Sequence, residues 1–204
     1  GEANILVGTQ MLAKGHHFPN VTLVVILNAD QGLFSADFRG SERLAQSIVQ
    51  VAGRAGRGQQ AGEVLIQTEY PDHPLLQRLL SGGYDAFAEA ALEERELAHW
   101  PPASRLVLMR AEADTTQRAL QFLQAAKRVI QRTSPASDRK VQIFGPAPAP
   151  MTRRAGVHRA QLLLRATQAA TLQRILSSSV AELEAVPEAK KVRWSVDVDP
   201  IELF

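Results

Sequence analysis

The chain has 204 residues and no cysteine, which excludes disulfides and thiolate metal ligands and leaves any zinc site to histidine and carboxylate. No apolar run approaches the roughly 20 residues needed to span a bilayer, and the first residues form neither a charged segment nor a small-residue cleavage signal. The expectation is a cytoplasmic protein with no membrane contact. The phosphate-cradling patterns G-x-x-x-x-G-K-[ST] and strand–G-x-G-x-x-G–helix are both missing, so no helix N-terminus is set up to hold a nucleotide. There is no initiator methionine before Gly1, and the chain reads as a piece of something longer.

Acidic residues are also missing from Arg139 through Ala181, although the whole chain is nearly balanced, with 23 Lys and Arg against 21 Asp and Glu. That window holds Arg139, Lys140, Arg153, Arg154, Arg159, Arg165 and Arg174 together with His158. Such a window is either a solvated basic face or a footprint for a phosphate backbone.

What is present divides in two. ILVGT (5–9), LVVILN (23–28) and EVLIQT (63–68) are short Val- and Ile-rich runs of the kind found in strands covered on both faces. A helix over 41–58 separates the last two, with Ser41 at its start, Leu44, Ile48 and Val51 at helical spacing and Gly58 after its end. Strands alternating with helices predict a parallel α/β sheet. Two helical patterns follow, at 73–83 and 84–100. Trp100-Pro101-Pro102 breaks the second, and a domain boundary is expected near residue 101. From there the pattern predicts strand 105–113, helix 115–131, strand 141–144, a Pro- and Arg-rich connection, strand 160–166, helix 170–186 and strand 191–199. The order βαββαβ is that of the split βαβ, ferredoxin-like fold. The fold class is therefore α/β followed by α+β, with domains at 1–100 and 101–204.

QVAGRAGRG (50–58) is an odd way to end a helix. On a helix Gln50, Arg54 and Arg57 fall at i, i+4 and i+7 and form one stripe, beside a track bared by Gly53 and Gly56. Each glycine costs about 0.5 to 1 kcal/mol relative to alanine in a helix interior. Bare backbone admits a close neighbour, and a guanidinium fork matches phosphate oxygens. The alternative is a glycine-rich helix end with two surface arginines. Phe34, Phe38 and Arg39 interleave between the strand and this helix, where the rings either stack on unpaired bases or pack inside. Trp194 reads as core. His16 and His17 are sequence neighbours that point apart, and no metal site is expected.

QVAGRAGR resembles motif VI of superfamily-two helicases, Q-x-x-G-R-x-G-R, and VGTQMLAKGHHFP (7–19) resembles their motif V. With ADFRGSERLAQ, LLQRLLSGGYDAFAEAALEERE, FGPAPAP and KKVRWSVDVDPIE, the chain is similar throughout to the PriA, or primosomal protein N′, family of bacterial replication-restart helicases. The likeness covers the second half of helicase lobe 2 plus the C-terminal domain.

What this resemblance implies is an ATP-dependent 3′ to 5′ DNA helicase acting in replication restart and primosome assembly. ATP and Mg2+ serve the whole protein, and zinc sites belong to a part absent from this sequence. By the same likeness Arg57 would be the arginine finger, with Arg54 and Gln50 as companion phosphate contacts. Gly8, Thr9 and Gln10 would approach the DNA backbone, and Lys14 and Gly15 would begin the turn beyond. His17 departs from the aspartate that many such helicases set against the ribose. The C-terminal domain would hold branched and single-stranded DNA through Arg153, Arg154, His158 and Arg159. Arg165, Gln173 and Arg174 would meet single-stranded-DNA-binding protein. Without Walker A these 204 residues should not hydrolyse ATP alone. The rival reading is a non-catalytic nucleic-acid or protein-binding module on a degenerate helicase scaffold.

Overall fold

The computed structural model describes residues 4–8, 21–53, 62–134, 141–154 and 156–203. They fall into two compact units, Gly1–Glu94 and Arg95–Phe204.

In the first unit β1 (Leu23–Ile26) pairs in parallel with β2 (Glu63–Ile66), in the register Val24↔Val64 and Ile26↔Ile66. Between them lie a short α1 (Asp30–Leu33) and α2 (Gly40–Ala52), and α3 (Pro74–Leu97) follows. The parallel arrangement is the one expected when a helix returns the chain between strands. Ile26 and Ile66 turn toward a cluster of Ala45 and Ile48 from α2 and Leu75, Leu76, Leu79, Phe87 and Ala91 from α3. Leu23, Val25 and Leu65 point the other way and are about half exposed. The strand expected at 5–9 does not form over its described residues, and Ile5, Leu6 and Val7 are exposed. Apolar character alone does not make a strand, and among the described residues the run has no ladder partner. The two helical patterns at 73–83 and 84–100 meet at Gly83, whose φ of 73° and ψ of −167° break α3. Only glycine adopts that conformation at little strain.

The loop between β1 and α2 is tied down locally. Asp30 accepts from the Thr68 hydroxyl and from the Glu69 amide at 3.0 Å. Asp37, 5% exposed, accepts from the Arg39 amide at 3.0 Å and pairs with Arg43 at 3.3 Å. Phe34 is 56% exposed and meets Tyr70 edge-on at 4.6 Å, while Phe38 lies under the Arg39 guanidinium at 5.3 Å. Of the two options left open for these rings, Phe34 is not core.

The second unit contains β3 (Arg105–Ala113), α4 (Thr116–Thr133), β4 (Gln142–Arg154), β5 (Val157–Ala166), α5 (Ala169–Ala185), a 3-10 turn (Pro187–Lys191) and β6 (Arg193–Val198). The sheet order is β4-β5-β3-β6, with antiparallel neighbours throughout, as in the split βαβ arrangement. Alternation along β3 and β5 sends Val107, Met109, Ala111, Leu162 and Leu164 toward α4 and α5, where Phe122, Leu123, Ile130, Leu172, Ile175 and Leu183 complete the core. Thr115 caps α4 by accepting from the Arg118 amide at 3.3 Å. Trp194 stacks at 5.4 Å from Phe122 on this helix-covered side. One expectation fails: the Pro- and Arg-rich connection is strand, for β4 continues from Gln142 to Arg154. β4 is an edge strand, so prolines at 146, 148 and 150 remove donors where only one neighbour needs them, and the ladder shifts register between Phe144 and Ala147 and between Pro148 and Arg153.

Gly40 opens α2 where nothing larger fits. A Cβ there would lie 2.1 Å from the Ser35 Cβ and 2.9 Å from the Gly32 carbonyl oxygen. Gly40→Ala should destabilise the chain by about 1–3 kcal/mol, read as a shift in the denaturant midpoint, and Ser35→Gly should recover part of the loss. An unshifted midpoint would contradict this account of the α2 entry.

Candidate nucleotide and nucleic-acid sites

Burial of Ala45 and Ile48 fixes the rotation of α2. Gln46, Val49, Gln50 and Gly53 then face outward at i, i+3, i+4 and i+7. Gln50 thus stands on the exposed side of the last turn. Gly53 ends the helix with φ −67° and ψ −4°, a conformation open to any residue. A Cβ added to it would meet, among the described residues, only its own helix end, at 3.4 Å from the Val49 carbonyl oxygen. Among the described residues, neither backbone strain nor packing asks for glycine at 53. Arg54 and Arg57 lie outside the described residues, as do Thr9, Gln10, Lys14 and His17. Gly8 is described, exposed, and in no strand.

The basic tip of the second unit is a hairpin. Pairing of Arg153 with His158 and of Arg154 with Val157 brings both ends of the basic run together across a turn in which Gly156 takes φ 86°. Arg153 is exposed. His158 shares a hydrogen bond with the Thr116 hydroxyl at 2.9 Å, through its Nδ1. Arg159 differs in situation from Arg153. Its Nε is 3.4 Å from the Glu112 carboxylate, and its side chain is only 13% exposed. Glu112 sits on β3 with Arg159 as its register partner on one side and Arg193 on the other. A carboxylate paired with Arg159 reduces what that arginine offers a phosphate. Sequence reasoning missed Glu112 and Thr116, because their roles follow from cross-strand register and from the start of a helix far along the chain.

Arg165, Gln173 and Arg174 are placed on two elements. Arg165 is near the end of β5, and Gln173 and Arg174 are exposed on the early part of α5. Arg165 is already engaged within its own unit. Its Nε donates to Gln142 Oε1 at 2.9 Å and its Nη1 to the carbonyl oxygens of Ala98 and His99 at 2.9 and 3.1 Å. Its guanidinium carbon lies 4.9 Å from the Phe144 ring and 5.5 Å from that of Trp100. No signal in the sequence joins positions 98–100, 142–144 and 165. Among the described residues no cluster of histidine and carboxylate could hold a metal ion, and no helix is long and apolar enough to cross a membrane.

Residues 96–201 match the family described as the primosomal protein N C-terminal domain, and residues 1–59 match the helicase conserved C-terminal domain. Among curated proteins the chain is 48% identical over 204 residues to the replication restart protein PriA of Haemophilus influenzae, covering all of this chain and 27% of that protein. It is 36% identical over 205 residues to the protein of the same name from Synechocystis, covering 100% of the chain and 24% of the relative. For that of Chlamydia pneumoniae the identity is 35% over 208 residues, with coverage of 100% and 26%. The chain therefore spans about a quarter of the length of these relatives.

The different surroundings of Arg153 and Arg159 separate their expected effects. If the hairpin tip holds forked DNA, as the family resemblance implies, Arg153→Ala should lower the magnitude of the slope of log affinity against log salt by about 0.9, the share of one phosphate contact. Arg159→Ala should leave that slope nearly unchanged while lowering the denaturant midpoint, since Glu112 loses its partner. The opposite ranking of the two slopes, measured by fluorescence titration at several salt concentrations, would overturn the assignment.

Proposed function

Because this chain belongs to the family of the primosomal protein N C-terminal domain, we propose that it is the C-terminal part of an ATP-dependent replication-restart DNA helicase. The observation that carries the reading is the outward flank of α2. Gln50 is presented there, and Gly53 bares the backbone where no packing among the described residues requires it. Such a flank suits the approach of a triphosphate held by another part of a longer protein. Hydrolysis of ATP bound with Mg2+ would supply the free energy of unwinding.

In this reading Arg57 directs its guanidinium fork at charge developing on the transferring phosphoryl group, and Arg54 and Gln50 orient the same group. Lys at 57 would not substitute, because a point charge lacks the planar fork. Gly8, Thr9, Gln10 and Lys14 contact the translocating strand, and His17 stands near the ribose. In the second unit Arg153, Arg154 and His158 hold duplex or fork phosphates without reading bases, with Arg159 as a supporting neighbour. Gln173 and Arg174 face single-stranded-DNA-binding protein, and other primosome proteins assemble on the whole. The 204 residues alone turn over no ATP, because half of the phosphate site is elsewhere.

The test uses a protein of the relatives' full length. Arg57→Ala should reduce DNA-stimulated ATP hydrolysis by about 10³- to 10⁵-fold. Gly53→Ala should leave the melting temperature unchanged or raised, since alanine suits the backbone there, yet lower turnover by about 10- to 100-fold through misplacement of the phosphate contacts. An Arg57→Ala protein as active as its parent would favour the alternative, a non-catalytic nucleic-acid or protein-binding module.

A further inference from the structure

The rings of Phe34, Tyr70 and His73 take no part in the nucleotide or DNA chemistry, yet they meet one another within the first unit. The segments that carry them, 27–34 and 67–73, leave the carboxyl ends of β1 and β2, the end of a parallel sheet at which α/β proteins ordinarily bind ligands. Phe34 meets Tyr70 at 4.6 Å with the planes 66° apart, and His73 at 5.5 Å and 81°. Phe34 is 56% and Tyr70 51% exposed, so the corner between them is open to solvent.

The corner is built in advance. Asp30 accepts from the Thr68 hydroxyl and the Glu69 amide, which fastens the second segment to the start of α1. The Thr68 oxygen accepts in turn from the Tyr70 amide at 3.0 Å, and the His73 amide donates to the Tyr70 carbonyl at 3.1 Å, closing a turn through Pro71 and Asp72. Gln77, early in α3, donates its side-chain amide to the Pro71 carbonyl at 2.8 Å. Phe34 donates its own amide to the Asp30 carbonyl at 2.9 Å. Both faces of the corner are thus held at the backbone, and little ordering is left to oppose binding.

Charge decides what enters it. Segments 27–34 and 67–73 hold Asp30, Glu69 and Asp72 and neither lysine nor arginine. Glu69 and Asp72 are exposed, and among the described residues neither has an ion-pair partner. Phosphate is repelled there, which sets aside the stacking of unpaired bases on Phe34. A cation is drawn instead, and the faces of phenylalanine and tyrosine attract one, arginine more often than lysine. His73 also leaves its buried Nδ1 without a hydrogen-bond partner among the described residues, a cost that stands until a group from outside the chain completes it.

We infer that the Phe34–Tyr70 corner, with its carboxylates, is a docking point for an arginine side chain on a basic segment of a separate protein. This docking is independent of ATP and DNA.

A dye-labelled peptide, acetyl-Gly-Arg-Gly-Arg-Gly-amide, titrated at low salt into a protein of the relatives' length and followed by fluorescence anisotropy, tests the inference. Phe34→Ala and Tyr70→Ala should each weaken binding by about fivefold or more, while Tyr70→Phe, which keeps the ring face, should bind as the parent does. Glu69→Gln combined with Asp72→Asn should weaken it by a similar factor and flatten its salt dependence. The carboxylate pair is exposed, so that variant remains decisive if a ring variant melts early. Equal affinity for the parent, Phe34→Ala and the double variant, or no binding by the parent, would overturn the proposal. Phe34→Ala that loses affinity for oligo(dT) and keeps it for the peptide would make the corner a base-stacking site and overturn it too. So would a peptide that binds the 204-residue chain but not the longer protein, for the corner would then be filled by that protein's own remaining parts. None of these readouts involves ATP, so their failure leaves the Arg57→Ala result, and the reading it tests, unaffected.

Discussion

A helix of α2's length can turn only one stripe inward, and its burial of Ala45 and Ile48 settles what the first unit can present. With 3.6 residues per turn, the same rotation that places those side chains in the core places Gln50 and Gly53 outside. The entry to the helix is fixed with similar economy, by Asp37 accepting from the Arg39 amide and by a glycine at 40 that tolerates no Cβ. The chemistry proposed for this flank therefore depends on the packing of residues that would not themselves touch a nucleotide.

The second unit obeys a related constraint. β3 is central and buried, so its alternation decides both faces of the sheet. Its helix-facing residues build the core, while Glu112 on the other face pairs with Arg159 and stands in register with Arg193 across the ladder. An edge strand threaded with prolines carries the basic hairpin tip outward, and prolines at an outer edge also discourage pairing with foreign strands. The same sheet anchors Arg165, so that the basic tip and the Arg165 cluster stand at different ends of β5.

Much of this was legible from residues alone, because period and punctuation are local. β3 at 105–113 follows from its run of apolar residues, and the break in α3 from two adjacent glycines at 82 and 83. The βαββαβ order followed from the succession of these patterns. Other features were hidden for physical reasons. Proline suppresses a strand reading, yet at 146, 148 and 150 its spacing of two is the period of a strand, and only the edge position makes it tolerable. The exposed run at 5–7 looked like strand because composition does not say whether a ladder partner is present. Arg159 and Arg165 looked like free cations because their acceptors, Glu112 and the carbonyls of Ala98 and His99, are distant in sequence. Charge counting finds a basic stretch and cannot tell which of its members are already satisfied.

The central claim is that the outward flank of α2 faces a nucleotide in the complete protein. Amide hydrogen exchange over residues 46–57, in a protein of the relatives' length, with and without ADP and aluminium fluoride as a transition-state mimic, tests it most directly. The account predicts slower exchange at the end of α2 when the mimic is bound, and no such change in the 204-residue chain by itself. Exchange at 46–57 that is indifferent to the mimic in the complete protein, while the mimic is shown to bind, would contradict it.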